Sequence, residues 1–402
     1  MKKTILIFGA GLNQYLLIKA AKDLGITSVV LDPNPDAPGK EIADYFYVVA
    51  GNDYETTRQI ALKHKVDGLA TTQMEKPLRL MAKLAQDIKL PFHSPEVVER
   101  SLDKWLMKQA FLKNDVPCAR GKLFPNNEEI KKDDLTDFFY PLVLKPKDAT
   151  SSQGVFRIEK FEEIHQYMDI TRRFSRNGEV IIEEFLEGPE YSIETITYKG
   201  QTTIVQYTEK FITPFPHTVE MGHLQPANLT QEEKEKIAKV VKAAIAAIGI
   251  DNSAAHTEIK LTPNGPKVVE IGARGGGDFI ASYLTLASTG VSMDEAIIKV
   301  ALGEEPDLQH KTSLYSYIKY FSLPVGKIVK KIKDYSDILK EDHVVFAYIA
   351  VKEGDIIEEI TESKKRPGFV IVKSKNRYRA MKLATEGCDY LISRIKLKDK
   401  SC

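Results

Sequence analysis

Few features of secreted, membrane or zinc-binding proteins occur in this sequence. Its 402 residues include three cysteines, Cys118, Cys388 and Cys402, and none of them forms a CxxC pair. Widely spaced cysteines in odd number argue against a disulfide framework and a structural zinc site, and they are typical of a reducing compartment. No apolar run approaches the roughly 20 residues of a membrane span. We therefore expect a soluble, cytoplasmic protein that does not contact a membrane.

A strong excess of charge is also missing. The chain has 57 Lys and Arg residues against 56 Asp and Glu residues, interleaved along its length, and its net charge is +1. Such a balance offers no broad field that would attract nucleic acid or an anionic membrane. We expect small-molecule substrates and no nucleic-acid partner. The oligomeric state stays open, with a homodimer as one option.

The first hundred residues alternate between strand-like and helix-like patterns. Residues 4–8 predict a buried strand, residues 13–24 a helix and residues 27–31 a second strand, which together make a βαβ unit. The same alternation continues with a helix near 54–64, a strand at 67–70 and a helix near 75–87. This part of the chain is therefore predicted to be a doubly wound, parallel-sheet α/β domain.

The pattern changes at Ser101, where a new helix is predicted to begin. A helix at 161–176 lies between predicted strands at 139–146 and 179–185, and a polar, Pro-rich loop is expected over 213–229. The capping box of Thr230 and Glu233 starts a helix that Gly249 ends. After about residue 311, short strands at 343–351 and 368–372 and a helix over 377–394 follow. We expect two α+β subdomains and then a small α+β domain.

Two glutamates, Glu258 and Glu270, lie in strand-like runs that flank Pro263-Asn264-Gly265. The segment predicts a hairpin, and a register symmetric about Asn264 places the two carboxylates directly opposite each other. Like charges in such positions destabilise a sheet. A hard cation such as Mg²⁺, held by carboxylates and substrate phosphates, would remove the repulsion. Two solvated glutamates on an exposed hairpin are the alternative.

Arg274 follows Glu270 by four residues and precedes a run of three glycines, Gly275 to Gly277. This spacing puts the guanidinium on the same strand face or just beyond its end, where it would brace transferring phosphoryl oxygens. Consecutive glycines allow the backbone to approach a ligand closely, although an ordinary flexible loop has the same composition.

Lys145 ends an apolar strand and precedes a loop of small residues at 149–155. A buried ammonium is costly unless it meets an anion, and the N–H groups of such a loop can cradle phosphates. The GxxxxGK[ST] string of a Walker loop is absent. Further along, Glu183 and Glu190 flank a strand end, where they either bind adenine and ribose or form a charged strand end.

The ordered set of Lys104, Lys145, the TSSQGV loop, EEFLEGPEYS, Glu258 and EIGARGG resembles the ATP-grasp superfamily, carboxylate–amine ligase branch. It is similar to L-amino acid ligases and to purine-pathway ATP-grasp ligases. The resemblance extends from residue 1 to about 310, and the remainder is similar to the family's small C-terminal domain. It implies a pre-ATP-grasp domain at 1–100, a lid subdomain at 101–186, a C-terminal ATP-grasp subdomain at 187–310 and a small domain at 311–402.

The resemblance also implies a role for each matching residue. ATP would be bound by Lys104, Lys145, Ser151, Ser152, Gln153, Gly154, Glu183, Phe185, Leu186 and Glu190. Glu258 and Glu270 would hold Mg²⁺, or Mn²⁺, and Arg274 and Lys145 would be the catalytic residues that stabilise formation of an acyl phosphate. Many family members have Asn where this chain has Gly272, so a second metal ion would be held differently.

Candidate substrate contacts come from loops and strand ends. They are Gly9, Gly11, Glu75, Glu220, His223, Arg274, Gly275 and Gly276, with His217 a weaker candidate. A substrate carboxylate would be bound by Arg274 and the glycine-loop N–H groups, and an ammonium by Glu75 or Glu220. We therefore expect an ADP-forming ligase that joins an amino acid through an amide bond.

Three other functions compete with this interpretation. A purine-biosynthesis-type or biotin-carboxylase-like enzyme would act on a ribonucleotide or bicarbonate with the same ATP site. A nicotinamide dehydrogenase is suggested by Gly9, Gly11 and Asp32, but Gln14 occupies the third fingerprint position, where Gly or Ala normally packs helix on strand. A non-catalytic ATP-binding protein would tend to lack the two metal glutamates.

Overall fold

A parallel sheet forms the N-terminal part of the protein. The structure is a computed structural model, and it describes residues 2–150, 152–214 and 218–399. The first elements are β1 (Thr4–Phe8), α1 (Tyr15–Asp23), β2 (Thr27–Asp32), β3 (Tyr45–Val48), α2 (Tyr54–His64), β4 (Gly68–Ala70) and α3 (Leu78–Ile88). The strands are parallel in the order β3-β2-β1-β4. The predicted α/β fold is confirmed.

A small antiparallel sheet follows after two short helices. These elements are α4 (Pro95–Leu102), α5 (Lys104–Lys113), β5 (Gly121–Phe124), β6 (Leu142–Pro146), β7 (Phe156–Ile158), α6 (Phe161–Arg173) and β8 (Val180–Glu184). The strand order is β5-β8-β6-β7. The predicted helix start at Ser101 is wrong, because Ser101 lies in the last turn of α4. Asp103 interrupts the helix in an extended conformation, and its carboxylate caps α5 by accepting from the N–H groups of Trp105 and Leu106.

An eight-stranded antiparallel sheet joins the rest of the chain. Its strands run in the order β13-β12-β9-β10-β11-β14-β17-β16. The elements are β9 (Glu190–Tyr198), β10 (Gln201–Ile212), β11 (Glu220–Gln225), α7 (Gln231–Ile248), β12 (Ser253–Thr262), β13 (Gly265–Gly272), α8 (Thr285–Thr289), α9 (Met293–Ala301), β14 (Tyr315–Tyr320), β15 (Ile328–Ile332), β16 (Val344–Ile349), β17 (Gly368–Ser374), α10 (Arg377–Arg394) and β18 (Ile395–Lys398). A separate two-stranded sheet pairs β15 with β18.

The two faces of the strands β9, β12 and β13 differ in chemistry. Odd-numbered apolar residues such as Ile193, Ile259 and Ile271 pack in one core with α7. The capping box of Thr230 and Glu233 and the left-handed Gly249 bound α7 as predicted. Alternation along each strand sends the even-numbered polar residues to the opposite face. No helix in the described part of the chain is both long and apolar enough to cross a membrane.

The loop predicted for 213–229 is wrong in its centre, where β11 lies. This strand pairs with β10 on one side and with β14 on the other. Gly222 allows the close approach, since a Cβ there would lie 2.8 Å from the hydroxyl of Tyr317. The pairing with β14 also makes the last strands continuous with the sheet that precedes them.

Candidate active site

A cavity of about 330 Å³ lies between the small sheet and the polar face of the eight-stranded sheet. Its wall contains most of the residues that the sequence singled out. They are Glu75, Lys104, Lys145, Ser152, Gln153, Glu183, Phe185, Leu186, Glu190, Glu220, His223, Glu258, Glu270 and Arg274. These side chains come from three of the four predicted segments, and Ser363 adds one from the last segment.

Some predicted site residues lie elsewhere. The described residues of the cavity wall do not include five predicted glycines, Gly9, Gly11, Gly154, Gly275 and Gly276. Ser151 and His217 lie outside the described residues.

Glu183, at the end of β8, is buried between two lysines. Lys145 of β6 contacts Oε1 of Glu183, and Lys108 of α5 lies 3.0 Å from Oε2. Burial opposes ionisation of this carboxyl, but Lys145 and Lys108 lower its pKa. The anion that the sequence required for Lys145 is therefore Glu183. An adenine hydrogen bond to Glu183 would compete with two ammonium groups, which favours a role for this carboxylate in orienting Lys145.

The chain after β8 forms the next part of the wall. Phe185 and Leu186 line the cavity. The guanidinium of Arg157 lies over the ring of Phe185, with its Cζ 4.5 Å from the ring centroid. Ser152 and Gln153 line the same cavity. This part of the wall thus offers an aromatic ring and backbone groups to a planar ligand.

Lys210 of β10 connects three carboxylates. Its ammonium lies 2.5 Å from Glu190, 2.9 Å from Glu258 and 3.5 Å from Glu220. Burial alone would lower the pKa of Lys210, but the three carboxylates raise it well above its usual range. Lys260 contributes a weaker contact of 3.5 Å to Glu190. Lys210 was missed in the sequence, because nothing near it in the chain indicates which side chains it meets.

Glu258 and Glu270 are paired across the hairpin of β12 and β13. Near the turn the register differs from the predicted one, since Thr262 pairs with Gly265 and Ile259 with Val268. An irregularity between Glu258 and Ile259 shifts the register by one residue and restores the opposition of the two glutamates. The opposition was predicted correctly, although the register symmetric about Asn264 holds only beyond this bulge.

Cations already neutralise both carboxylates of this pair. Glu270 lies 3.2 Å from Lys104, and Glu258 contacts Lys210 and lies 3.6 Å from Nε2 of His256. Although burial opposes ionisation, Lys210 and His256 hold the pKa of Glu258 well below its usual range. Two opposed, charged carboxylates fit Mg²⁺, which accepts one or two protein carboxylates together with phosphate oxygens. Within the described ranges, no group of three or more His, Cys, Asp or Glu side chains is arranged to hold a metal ion.

Arg274 follows the end of β13 and is held by Glu75. Its Nη2 lies 2.5 Å from Oε1 of Glu75, and its Nη1 donates to the carbonyl of Gly275. Gly272 leaves room for the guanidinium, since a Cβ there would lie 3.3 Å from its Cζ. Glu75 was predicted to bind a substrate ammonium. Its contact with Arg274 favours a role in orienting that guanidinium instead.

His223 of β11 belongs to a cluster that includes a residue from the C-terminal part. Its Nε2 hydrogen bonds with Asp278 at 3.2 Å, and Arg366 donates two hydrogen bonds to the same carboxylate at 2.6 and 2.7 Å. Arg366 also donates to the carbonyl of Glu220 and lies 3.6 Å from the ring centroid of Tyr320. His223 is buried in a strand, whereas the sequence placed it in a loop.

The glycine run after Arg274 packs against a second buried pair. Nδ1 of His256 lies 2.5 Å from Glu194, which also accepts a hydrogen bond from the N–H of Gly276. A Cβ at Gly276 would lie 2.4 Å from Glu194 and 2.7 Å from His256, so only glycine fits. Burial lowers the pKa of His256, but Glu194 outweighs it and raises the pKa to about 9. Gly276 therefore serves this packing, and its N–H group is already engaged.

The glycine turn after β1 is occupied by the protein itself. Gln14 donates to the carbonyl of Thr72, and a Cβ at Gly9 would lie 2.6 Å from Sδ of Met74. Asp32 accepts hydrogen bonds from the N–H groups of Ala10 and Asn34. The acidic residue that a nicotinamide ribose would need is therefore engaged by backbone N–H groups of the turn after β1 and of its own loop.

Three family models match this sequence. The ribonucleotide synthetase preATP-grasp domain matches residues 1–99, the ATP-grasp domain matches residues 138–282, and the L-amino acid ligase C-terminal domain 2 matches residues 319–395.

The chain is also similar to individual ligases. It is 27% identical over 365 residues to the alanine–anticapsin ligase of Bacillus subtilis. The aligned region covers 80% of this chain and 74% of that protein. The crystal structure of an L-amino acid ligase from Bacillus licheniformis matches with a TM-score of 0.85 at 22% identity, covering 100% of this chain and 99% of that one. Phosphoribosylglycinamide synthetase from Anaerococcus prevotii matches with a TM-score of 0.78 at 25% identity, covering all of both chains.

The fold and the site define an enzyme that binds ATP and uses it for ligation. The three family models, which match successive parts of the chain, and the similar ligases support the carboxylate–amine ligase branch of the ATP-grasp superfamily. The family resemblance, the fold class and the expectation of an ATP-grasp ligase are thereby confirmed.

Proposed function

We propose that this enzyme joins an amino acid to an amine or a carboxylic acid through an amide bond, with ATP as the source of free energy. The observation that carries the proposal is the opposition of Glu258 and Glu270 on the cavity wall, beside Lys104, Lys145 and Arg274. Carboxylates in such a position suit a cation and its phosphates, and the nearby ammonium and guanidinium groups suit phosphoryl oxygens.

The proposed nucleotide site extends along the cavity from the small sheet to the hairpin. Adenine would lie beside Phe185 and Leu186, and ribose beside Glu190. Lys104, Lys145 and the loop that contains Ser152 and Gln153 would bind the phosphates. Glu258 and Glu270 would hold Mg²⁺, which screens phosphate charge when it is bound.

The proposed reaction has two steps. A carboxylate oxygen of the first substrate attacks the γ-phosphorus, the bond to the β–γ bridging oxygen breaks, and ADP leaves with an acyl phosphate formed. Arg274, oriented by Glu75, and Lys145, oriented by Glu183, would stabilise the charge of the transferring group. An amine nitrogen then attacks the carbonyl carbon, phosphate leaves, and the nitrogen loses a proton. Closure of the lid subdomain over the cavity would keep water from hydrolysing the acyl phosphate.

Two features favour an amino acid as substrate. Among the described residues, the carboxylate of Glu220 on the wall has only long contacts, of 3.5 Å with Lys210 and of 3.4 Å with the hydroxyl of Ser363. It is therefore the better placed of the two predicted ammonium ligands. Alanine–anticapsin ligase and the L-amino acid ligase, which the chain resembles, are named for amino-acid substrates. Arg274 would meet the substrate carboxylate.

A ribonucleotide is the second candidate substrate. The match of residues 1–99 to the ribonucleotide synthetase preATP-grasp domain favours it. A purine-type enzyme would have to place a ribose phosphate close to the cavity, where Lys210, the central cation, already meets three carboxylates. This charge arrangement favours a zwitterion over a phosphate ester.

The test is a substrate panel with Mg-ATP. The twenty amino acids, singly and in pairs, are offered beside phosphoribosylamine and bicarbonate, and ADP, AMP, phosphate and product mass are followed. We expect ADP and phosphate in equal amounts and a product mass equal to the two substrates minus water. Stoichiometric AMP, or turnover confined to phosphoribosylamine with glycine or to bicarbonate, would overturn the proposal.

A further inference from the structure

Lys108 is a buried cation that is not among the described residues of the cavity wall. It is 6% exposed, and its ammonium donates to the carbonyl of Ala119 at 2.5 Å and lies 3.0 Å from Oε2 of Glu183. The other oxygen of Glu183 contacts Lys145, which does line the cavity. Lys108 is thus one side chain removed from the site, and Glu183 is the link.

The local structure is built to admit this lysine. Lys104 and Lys108 are one turn apart on α5, so they lie on the same face of the helix. Gly121 on β5 leaves the space for the Lys108 stem, because a Cβ there would lie 3.1 Å from Cε of Lys108 and 3.1 Å from Cβ of Glu183. Two independent elements therefore converge to place this ammonium on Glu183.

The cluster has an uneven charge. Glu183 carries one negative charge, and Lys108 and Lys145 carry one positive charge each, so the three side chains together carry a charge of about +1. A pair of Lys145 and Glu183 alone would be neutral. A buried positive charge is costly unless an anion lies close to it. Of the three side chains in the cluster, Lys145 and Glu183 are among the described residues that line the cavity.

We propose that Lys108 is a positioning residue for the nucleotide phosphates. It occupies one oxygen of Glu183, so that the other orients Lys145, and it leaves the buried cluster with a net positive charge facing the phosphates. This inference rests on the proposed nucleotide site, in which the phosphates lie beside Lys145.

A purely structural lysine would behave differently. If Lys108 only supported the packing of α5 on β5, its loss would weaken every ligand of the cavity alike. If it acts on the phosphates through Glu183 and Lys145, its loss weakens ligands that carry phosphate and spares those that do not. ADP and adenosine share the base and the sugar, so the comparison isolates this difference.

The experiment measures binding of Mg-ADP and of adenosine by calorimetry at fixed ionic strength. Lys108→Met should raise the Kd for ADP about tenfold or more, since it removes a positive charge that acts on the phosphates through Glu183 and Lys145 in a partly buried site. The Kd for adenosine should change less than about twofold by the same reasoning. Lys113→Met is the matched control, since Lys113 is an exposed lysine of the same helix, and it should change neither value.

A second variant covers the case in which the methionine variant does not fold. Lys108→Gln keeps a donor for Ala119 and Glu183 but removes the charge, and it should show the same loss for ADP. Unchanged ADP binding in the folded variant, or an equal loss for ADP and adenosine, would overturn the role of Lys108. Failure of the unaltered protein to bind ADP at all would instead overturn the nucleotide site on which the inference rests.

Discussion

Individual charged side chains decide what the cavity can bind, because the carboxylates of its wall are matched with cations. The pairs are Glu75 with Arg274, Glu183 with Lys145, Glu190 and Glu258 with Lys210, and Glu270 with Lys104. A ligand that binds to these paired groups must therefore exchange one set of ion pairs for another. A Mg²⁺–nucleotide complex brings both signs of charge, which permits such an exchange without leaving a buried charge unpaired.

Glu270→Gln tests the opposed pair at this scale. The change should lower the rate of ADP formation about 100-fold or more, by analogy with the loss of one transition-state stabiliser. The midpoint of thermal unfolding should change little, because the side chain faces the cavity and its ion pair with Lys104 is partly exposed. Glu187→Gln, at an exposed residue near the same cavity, is the control. Full activity of the Glu270 variant would refute the assignment of this carboxylate.

Asp294 gives a prediction for stability against pH. It is 2% exposed on α9, and burial, with a smaller effect of Glu295, raises its pKa to about 7. Because this value lies above that of about 3.9 for an unfolded chain, folding favours the protonated form. Its stabilising contribution is complete below about pH 4 and is lost as the pH rises through about 7.

Asp294→Asn should remove this dependence. Relative to the variant, the unaltered protein should lose about 2 to 4 kcal/mol of unfolding free energy between about pH 4 and pH 8. Urea unfolding at both pH values measures the difference, and Glu305→Gln, at an exposed position on the chain after α9, is the control. Parallel pH profiles of Asp294→Asn and the unaltered protein would contradict the expectation.

At the scale of secondary structure, the sequence was most informative where an element depends on its own residues. The capped helix α7, the hairpin of β12 and β13, and α10 at Arg377–Arg394 follow from local periodicity and capping. β11 was missed because it is short, contains Gly222 and His223, and gains its strand character by pairing with β14, almost a hundred residues later. The bulge that restores the Glu258–Glu270 pairing was not predictable from the turn either.

Thr230→Ala tests the local origin of α7. The threonine hydroxyl accepts from the N–H of Glu233, whose carboxylate accepts from the N–H of Thr230. Loss of the cap should lower the free energy of unfolding by about 1 kcal/mol. Gln231→Ala, one residue later on an exposed position, should change it by less than about 0.5 kcal/mol. An equal effect of the two substitutions in chemical denaturation would argue against a stabilising cap.

At the scale of the whole molecule, the site depends on contacts between segments that are distant in the chain. Four residues of the site were missed in the sequence, because each acquires its role from a partner that the fold brings to it. They are Lys210, His256, Asp278 and Arg366. Glu258, Glu270 and Arg274 were found because they share one short segment. The division into domains at residues 100, 186 and 310 stays a prediction, and the continuous sheet through β11 and β14 shows how closely the last two segments are joined.

The pair of Arg366 and Asp278 gives the prediction at this scale. Arg366 comes from the segment before β17 and reaches the loop after β13, where Asp278 accepts two hydrogen bonds from its guanidinium. Although burial opposes ionisation, Arg366 and His223 lower the pKa of Asp278, so both partners are charged when the fold is intact. The Arg366 side chain is 7% exposed and the Asp278 side chain is 23% exposed, so removal of one partner leaves an uncompensated charge that is only partly accessible to water, which is costly.

Arg366→Met should therefore lower the free energy of unfolding by about 3 to 5 kcal/mol. Asp278→Asn in the same chain removes the charge that would be left unpaired, so the double variant should be more stable than the sum of the two single losses by about 1 to 3 kcal/mol. Urea denaturation of the four proteins of this cycle gives the coupling energy directly. Arg379→Met, on the exposed N-terminal turn of α10, is the control for loss of an arginine and should change the free energy of unfolding by less than about 0.5 kcal/mol. Strict additivity of the two changes would mean that Arg366 stabilises the C-terminal segment through Tyr320 and the carbonyl of Glu220 rather than through the partly buried carboxylate of Asp278 beside the cavity.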